Sequence, residues 1–327
     1  MKKLMLGILA FLGLLVLGLV AFITLKGNPD FDAATQNLVA SKDSTVIARG
    51  RYLAYGPAHC ASCHTPMDRK KDIDNGVEVP MSGGWELSIP PGTFRAANLT
   101  PDMETGIGNL TDAQLVRAMR YSINHRGKMM FPFMPFQEMS DEDVVALISF
   151  LRSQVPVKNE MKPTEFSFLG KALMAFGVAK PVFPAGTPPQ SVKVDTSIEY
   201  GSYLANKVTN CVGCHTERDL KTGVELGPKF AGGLVFPADN YSEGYTFISP
   251  NLTPDMETGV MAKMTEQSFI DRFRKGRVYS GSQMPWGSFS RMNDLELKAI
   301  YRYIQSLAPV NRKIEKVAYA PGEKLPS

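Results

Sequence analysis

The nine-residue string NLTPDMETG occurs at residues 98–106 and again, unchanged, at 251–259. A repeat of that length fixes architecture before any local reading, because it means one structural unit has been written twice. Other pairs follow it in the same order: CASCHT from Cys60 and CVGCHT from Cys211, Gly83-Gly84 and Gly232-Gly233, Met134-Pro135 and Met284-Pro285, Pro156-Val157 and Pro309-Val310, all offset by 149 to 153 positions. The spacing predicts two homologous domains over residues 44–157 and 195–311. A Pro-rich linker at 158–194 joins them, with Pro163, Pro181, Pro184, Pro188 and Pro189, and a tail follows at 312–327. A chain of 327 residues is long enough to bury two cores of ordinary size.

Helical patterns open and close each copy. Ser140 with Asp143 three residues on resembles a capping box, and Val144, Leu147, Ile148 and Leu151 then recur at helical spacing. The second copy repeats this with Asn293 as cap and Leu297, Ile300, Tyr301 and Ile304 on the apolar face. The opening segments each contain a glycine, Gly50 and Gly201, where a glycine costs a helix about 1 kcal/mol against alanine. A close helix crossing would account for both, a simple helix break being the alternative. The expected fold class is all-α.

Leu4 to Leu25 is a run of 22 uncharged, mostly apolar residues. At 1.5 Å per residue it covers about 33 Å, enough to cross a hydrocarbon layer. Lys2 and Lys3 precede the run and Lys26 follows it, so the positive-inside bias holds the N-terminus in the cytoplasm and exports the remainder. Residues 1–26 are thus read as a single-pass anchor in a bacterial inner membrane, with the other domains on the periplasmic side. A cleaved signal peptide is the alternative, but no small-x-small cleavage site follows the run. Without Lys2 and Lys3 the net charge of +4 falls to +2, and no basic stripe with interleaved aromatics occurs, so nucleic acid is not an expected partner.

The chemistry lies in the two Cys-x-x-Cys-His runs. That spacing attaches c-type haem, with both thiols joined to the haem vinyl groups and the adjacent imidazole beneath the iron. Cys60, Cys63 and His64 are assigned to one covalent haem, and Cys211, Cys214 and His215 to the other. The four cysteines of the sequence are all used this way, leaving none for a four-cysteine zinc site or a structural disulfide. Among 17 methionines, Met134 and Met284 occupy matching positions, each followed by proline and an aromatic residue, and are assigned as the distal iron ligands. The alternatives are that they only wall the haem pocket, or that His125 replaces Met134. His59 is read as a polar neighbour of the first haem. The NLTPDMETG loop is read as packing a haem edge, with calcium binding by Asp102 and Glu104 an outside alternative. Residues 166–178 could form a membrane-surface helix or pack between the domains. The Asn-x-Thr strings at Asn98, Asn109 and Asn251 are read as coincidental.

The order CxxCHT, Gly-Gly, NLTPDxxTGIG, HRG, FPxMPF, SDEDVxAL, Pro-Val resembles the cytochrome c domains of membrane-bound bacterial alcohol, aldehyde and gluconate dehydrogenase cytochrome subunits, over about residues 44–311. The resemblance implies all-helical class I cytochrome folds with His/Met ligation. It also implies electron delivery from a dehydrogenase toward a quinol-oxidising complex or terminal oxidase, as a membrane-tethered carrier or a subunit rather than an enzyme, with no small-molecule substrate. The expected function is outer-sphere single-electron transfer, and the competing one is a dihaem peroxidase, which would need one open iron position.

Overall fold

The computed structural model describes residues 2–32, 36–219, 223–239 and 241–325. Helix α1 (Lys2–Lys26) projects from the body of the protein, its 18-residue core having a mean hydropathy of 2.9 and almost no burial. The first half comprises α2 (Ser44–Tyr55), α3 (Ala61–His64), α4 (Lys70–Asp74), β1 (Glu86–Ile89), β2 (Gly92–Arg95), α5 (Asp112–Tyr121), α6 (Asp141–Ser153) and β3 (Glu165–Phe166). After α7 (Phe168–Ala175) the second half runs through α8 (Ile198–Tyr203), α9 (Cys211–Cys214), β4 (Val235–Phe236), β5 (Thr246–Ile248), α10 (Glu266–Arg274), α11 (Trp286–Phe289), α12 (Asp294–Gln305) and β6 (Ala318–Tyr319).

The protein is mostly helical, as expected, with 40% helix, and an additional 8% strand that the all-α expectation did not include. Two three-stranded antiparallel sheets, β1-β2-β3 and β4-β5-β6, stand beside the helices. The reason lies past each closing helix, where the chain turns back and adds a two-residue third strand. Glu165–Phe166 pairs with β2, and Ala318–Tyr319 pairs with β5. The stretches read as linker and tail are therefore built into the halves they follow. The Pro-rich stretch also supplies the carbonyls of Pro189 and Gln190 to the N–H groups of Asp141 and Glu142, in the first turn of α6.

Each half is organised by one close helix crossing. A Cβ on Gly50 would lie 1.8 Å from the Ala146 carbonyl oxygen, and one on Gly201 would lie 1.9 Å from that of Ala299. Only glycine lets α2 reach α6 and α8 reach α12 so nearly, which is the role the sequence pattern indicated. Val144, Leu147, Ile148 and Leu151 are buried in the first crossing, and Leu297, Ile300 and Ile304 in the second.

The repeated loop is a staple. Asn98 donates from Nδ2 to the Val157 carbonyl at 2.8 Å, and Asn251 does the same to Val310 at 2.8 Å. Thr100 and Thr253 accept the N–H groups of Val157 and Val310, each at 3.1 Å. Asp102 and Asp255 turn inward on Thr105 and Thr258, whose N–H and hydroxyl groups hold both carboxyls below the usual carboxylate range. Those acids are spent on the turn, and among the described residues no cluster of acids, histidines or cysteines could hold a free metal ion.

The halves meet through a reciprocal polar contact. Tyr52 accepts the N–H of Asn293, the cap of α12, at 2.9 Å and donates to Glu296. Tyr203 accepts the N–H of Ser140, the cap of α6, at 3.0 Å and donates to Asp143 at 2.7 Å. Residue for residue these are equivalent positions of the repeat, so the contact has the form of a twofold interface. Arg49 bridges it, with Nε 3.0 Å from Asp143 and Nη1 3.4 Å from Glu296. Tyr200 donates to Glu296 at 3.1 Å. Burial pushes the Glu296 carboxyl above its ordinary value, against the pull of Tyr52, Arg49 and Tyr200. The Ser140 hydroxyl caps Asp143 N–H at 3.2 Å, but the Asp143 carboxylate reaches Arg49 and Tyr203 instead of returning to the cap, so the capping box is one-sided.

Candidate functional site: two thiol-imidazole centres

Cys60 caps α3 and Cys63 lies within it, so one short turn puts both sulfurs three residues apart on one face and brings His64 directly after. Cys211 and Cys214 bound α9 in the same way, with His215 next. None of the four is in a disulfide. Burial pushes the Cys60 and Cys63 thiols up to about 12 and the Cys211 and Cys214 thiols up to about 11, so all four are neutral at physiological pH.

The imidazoles are oriented by backbone. Nδ1 of His64 lies 2.8 Å from the Ala97 carbonyl oxygen, and Nδ1 of His215 lies 3.1 Å from that of Pro250. A carbonyl can only accept, so Nδ1 carries the proton in both rings and Nε2 keeps a free lone pair, the arrangement a metal-ligating histidine requires. Burial lowers the pKa of both histidines, His215 to about 4, which keeps the rings neutral. Ala97 and Pro250 immediately precede the two NLTPDMETG loops, so the staple that closes each half also aims its histidine. The Gly-Gly pairs complete the clamp: Gly83 N–H donates to the His64 carbonyl at 2.7 Å and Gly232 N–H to that of His215 at 2.9 Å. Their φ values of 85° and 70° are in the left-handed region that favours glycine, and a Cβ at Gly232 would meet the Ser249 carbonyl oxygen at 2.4 Å.

Met134 and Met284 are half-buried against the same apolar cluster that Cys60 joins. Their loops are held by two arginines that the sequence reading did not single out. Arg120, fully buried at the end of α5, donates to the carbonyls of Gln137 at 3.1 Å and Met139, and to Asp141 at 2.6 Å. Arg274 at the end of α10 donates to the Ser290, Met292 and Asp294 oxygens at 2.8, 2.6 and 2.6 Å. Their matching positions in the repeat were the available signal. His125 is exposed and contacts the Arg126 side chain, away from this cluster. His59 packs edge-on against Phe289 of the second half.

Each of these features suits covalent haem: paired neutral thiols, an imidazole with Nε2 free, a thioether side chain and apolar walls. Residues 47–154 match the cytochrome c family. This chain carries a cytochrome c domain, and such a domain binds haem c covalently. Over 82% of its length it is 30% identical to the cytochrome c subunit of the quinone alcohol dehydrogenase of Gluconobacter oxydans, of which the match covers 56%. It is 26% identical over 84% of its length to the fructose dehydrogenase cytochrome subunit of Gluconobacter japonicus, covering 55% of that protein. It is also 28% identical over 77% of its length to a diheme cytochrome c-type protein of Cereibacter sphaeroides, covering 82% of it. The chain spans 56% to 64% of the length of the alcohol dehydrogenase subunits it matches.

Proposed function

We propose that the protein is a membrane-anchored dihaem electron carrier, built from two cytochrome c domains at residues 44–157 and 195–311. Cys60, Cys63, His64 and Met134 hold one haem, and Cys211, Cys214, His215 and Met284 hold the other. A haem iron supplies a centre that takes up and gives up one electron without bond rearrangement in a substrate. The observation that carries this reading is the matched orientation of His64 and His215, each fixed by the carbonyl before its own NLTPDMETG loop.

The chain's own residues then have definite tasks. Ala97 and Pro250 hold the Nδ1 protons, which keeps Nε2 basic and directed. Arg120 and Arg274 fix the loops that present Met134 and Met284. The elements that carry the two centres also touch each other. Ser62 of α3 touches Ser288 of α11 at 3.1 Å, and Arg277 pairs with Asp74 at 2.6 Å, which locks the first attachment motif against the loop of Met284. These contacts support electron transfer between the two centres within the chain.

The electron donor is a dehydrogenase and the acceptor a quinol-oxidising complex or terminal oxidase, reached on the periplasmic side of the inner membrane to which α1 anchors the chain. Potentiometric titration of the full chain in mild detergent tests the reading. Two one-electron steps are expected, each accompanied by a low-spin spectral change. A single step, or a high-spin ferric band from an open iron position, would overturn it.

A further inference from the structure

Helix α1 has one buried side chain, Ile23, 3% exposed. Helix α7 covers it. The rings of Phe22 and Phe176 pack at a tilt with centroids 5.5 Å apart, and a Cβ on Gly27 would lie 2.6 Å from the Lys171 Cβ. The chain leaving α1 is then pinned to the first half, with Phe31 N–H on the Gly127 carbonyl at 2.9 Å and Lys128 Nζ 2.8 Å from Asp30. The anchor is therefore a fixed part of the first half rather than a loose tether.

The apolar run ends at Leu25, so contacts from Phe22 to Gly27 place α7 at the end of the membrane segment, level with the lipid headgroups. One side of α7 is locked to the sheet: a Cβ on Gly170 would lie 2.0 Å from the Pro91 carbonyl oxygen, and Met174 is buried. The other side exposes Phe168, Leu169 and Phe176 at 55%, 40% and 59%, and Val178, Val182 and Phe183 continue the exposed apolar stretch. The second half does not cover them. Lys26, Lys171 and Lys180 are exposed around this surface, where they can meet anionic headgroups. Six large apolar side chains exposed within 16 residues form a patch that water alone would leave costly.

We propose that residues 168–183 are a second membrane contact, lying in the plane of the bilayer at the boundary of headgroups and acyl chains, and that with α1 they hold the protein in one orientation. The proposal rests on the anchor reading of α1. It makes the first half membrane-proximal and the second distal. A cluster of aromatic rings links this contact to the Met134 loop, since Phe94 packs against Phe166 at 5.6 Å and against Phe131 and Phe133 at 4.6 and 5.4 Å.

The test uses the full haem-loaded chain in vesicles of phosphatidylcholine and phosphatidylglycerol, with single added cysteines and a polar, membrane-impermeant maleimide. Leu14→Cys reports on α1, Leu169→Cys and Phe176→Cys on the proposed contact, and Met256→Cys on an exposed loop of the second half; the parent chain gives the background. Maleimide needs a thiolate, which forms in water and not in lipid, so Leu169→Cys and Phe176→Cys should react at least about tenfold more slowly than Met256→Cys. Leu14→Cys should not react. If Leu169→Cys and Phe176→Cys react as fast as Met256→Cys while Leu14→Cys stays silent, the in-plane contact is overturned and the anchor stands. If Leu14→Cys reacts, the anchor reading fails, and this proposal with it.

Discussion

The hydroxyl of Tyr203 lies 2.7 Å from Asp143 and takes the Ser140 N–H at 3.0 Å, so a helix of the second half caps a helix of the first. Tyr52 returns the same arrangement to Glu296 and Asn293. Removing either hydroxyl strands a helix-cap N–H and weakens the solvation of a buried carboxylate, each effect acting on both halves at once. Tyr203→Phe and Tyr52→Phe are each expected to cost about 1–3 kcal/mol. Denaturant unfolding followed by circular dichroism checks this, and unchanged midpoints in both variants would show that the reciprocal contact does not hold the halves together.

Arg49 serves two carboxylates, and Arg49→Met leaves both without their cation. Breaking a buried pair from one side costs about 3–5 kcal/mol, the lower end applying here because Arg49 retains some exposure. The loss should depend on pH. Burial already raises the Glu296 pKa, and without Arg49 it rises further. A carboxyl whose folded pKa lies above its unfolded value holds a proton that the unfolded chain has released, so its contribution to stability falls as pH climbs through that window, from about 4.3 upward. The deficit of Arg49→Met against the parent should therefore be larger at neutral pH than under mildly acidic conditions. Unfolding curves at both values measure it, and a deficit that grows on acidification would contradict the assignment.

Gly201→Ala and Gly50→Ala place a methyl 1.9 and 1.8 Å from a facing carbonyl oxygen, so the crossing helices must separate. Overpacking of this kind costs about 1–3 kcal/mol or more, and both variants should accumulate poorly in haem-loaded form. Gly7→Ala, with nothing within 4 Å, should match the parent. Haem-staining yield per cell separates the three.

The sequence exposed the repeat, the helix caps at Ser140 and Asn293, the glycine crossings and the two attachment motifs, because each leaves a local signature of spacing or residue type. It did not expose β3 and β6, which are two residues long and owe their existence to strands already in place. The carbonyls of Ala97 and Pro250 carry no side-chain signal at all. The repeat even obscured the reciprocal reach of Tyr52 and Tyr203, since the pattern shows that two positions are equivalent and not that each reaches across to the other half. Arg120 and Arg274 stand at matching positions of the repeat, but the loop carbonyls they bind leave no mark in the sequence.

Exchange between partners gives a further expectation. With a net charge of only +2 outside the N-terminal lysines, long-range steering contributes little, and reduction of the purified protein by its donor should slow only gently as ionic strength rises. Stopped-flow rates over a salt series check this. A steep collapse with salt would point to a charged docking surface instead.

The most direct test of the account is the intact mass of the full chain, denatured after expression with haem attachment machinery, because thioether links survive unfolding. An excess over the polypeptide equal to two haems is expected, falling to one in a Cys211→Ala/Cys214→Ala variant and to one in a Cys60→Ala/Cys63→Ala variant. A parent chain carrying a single haem, or none, would contradict it.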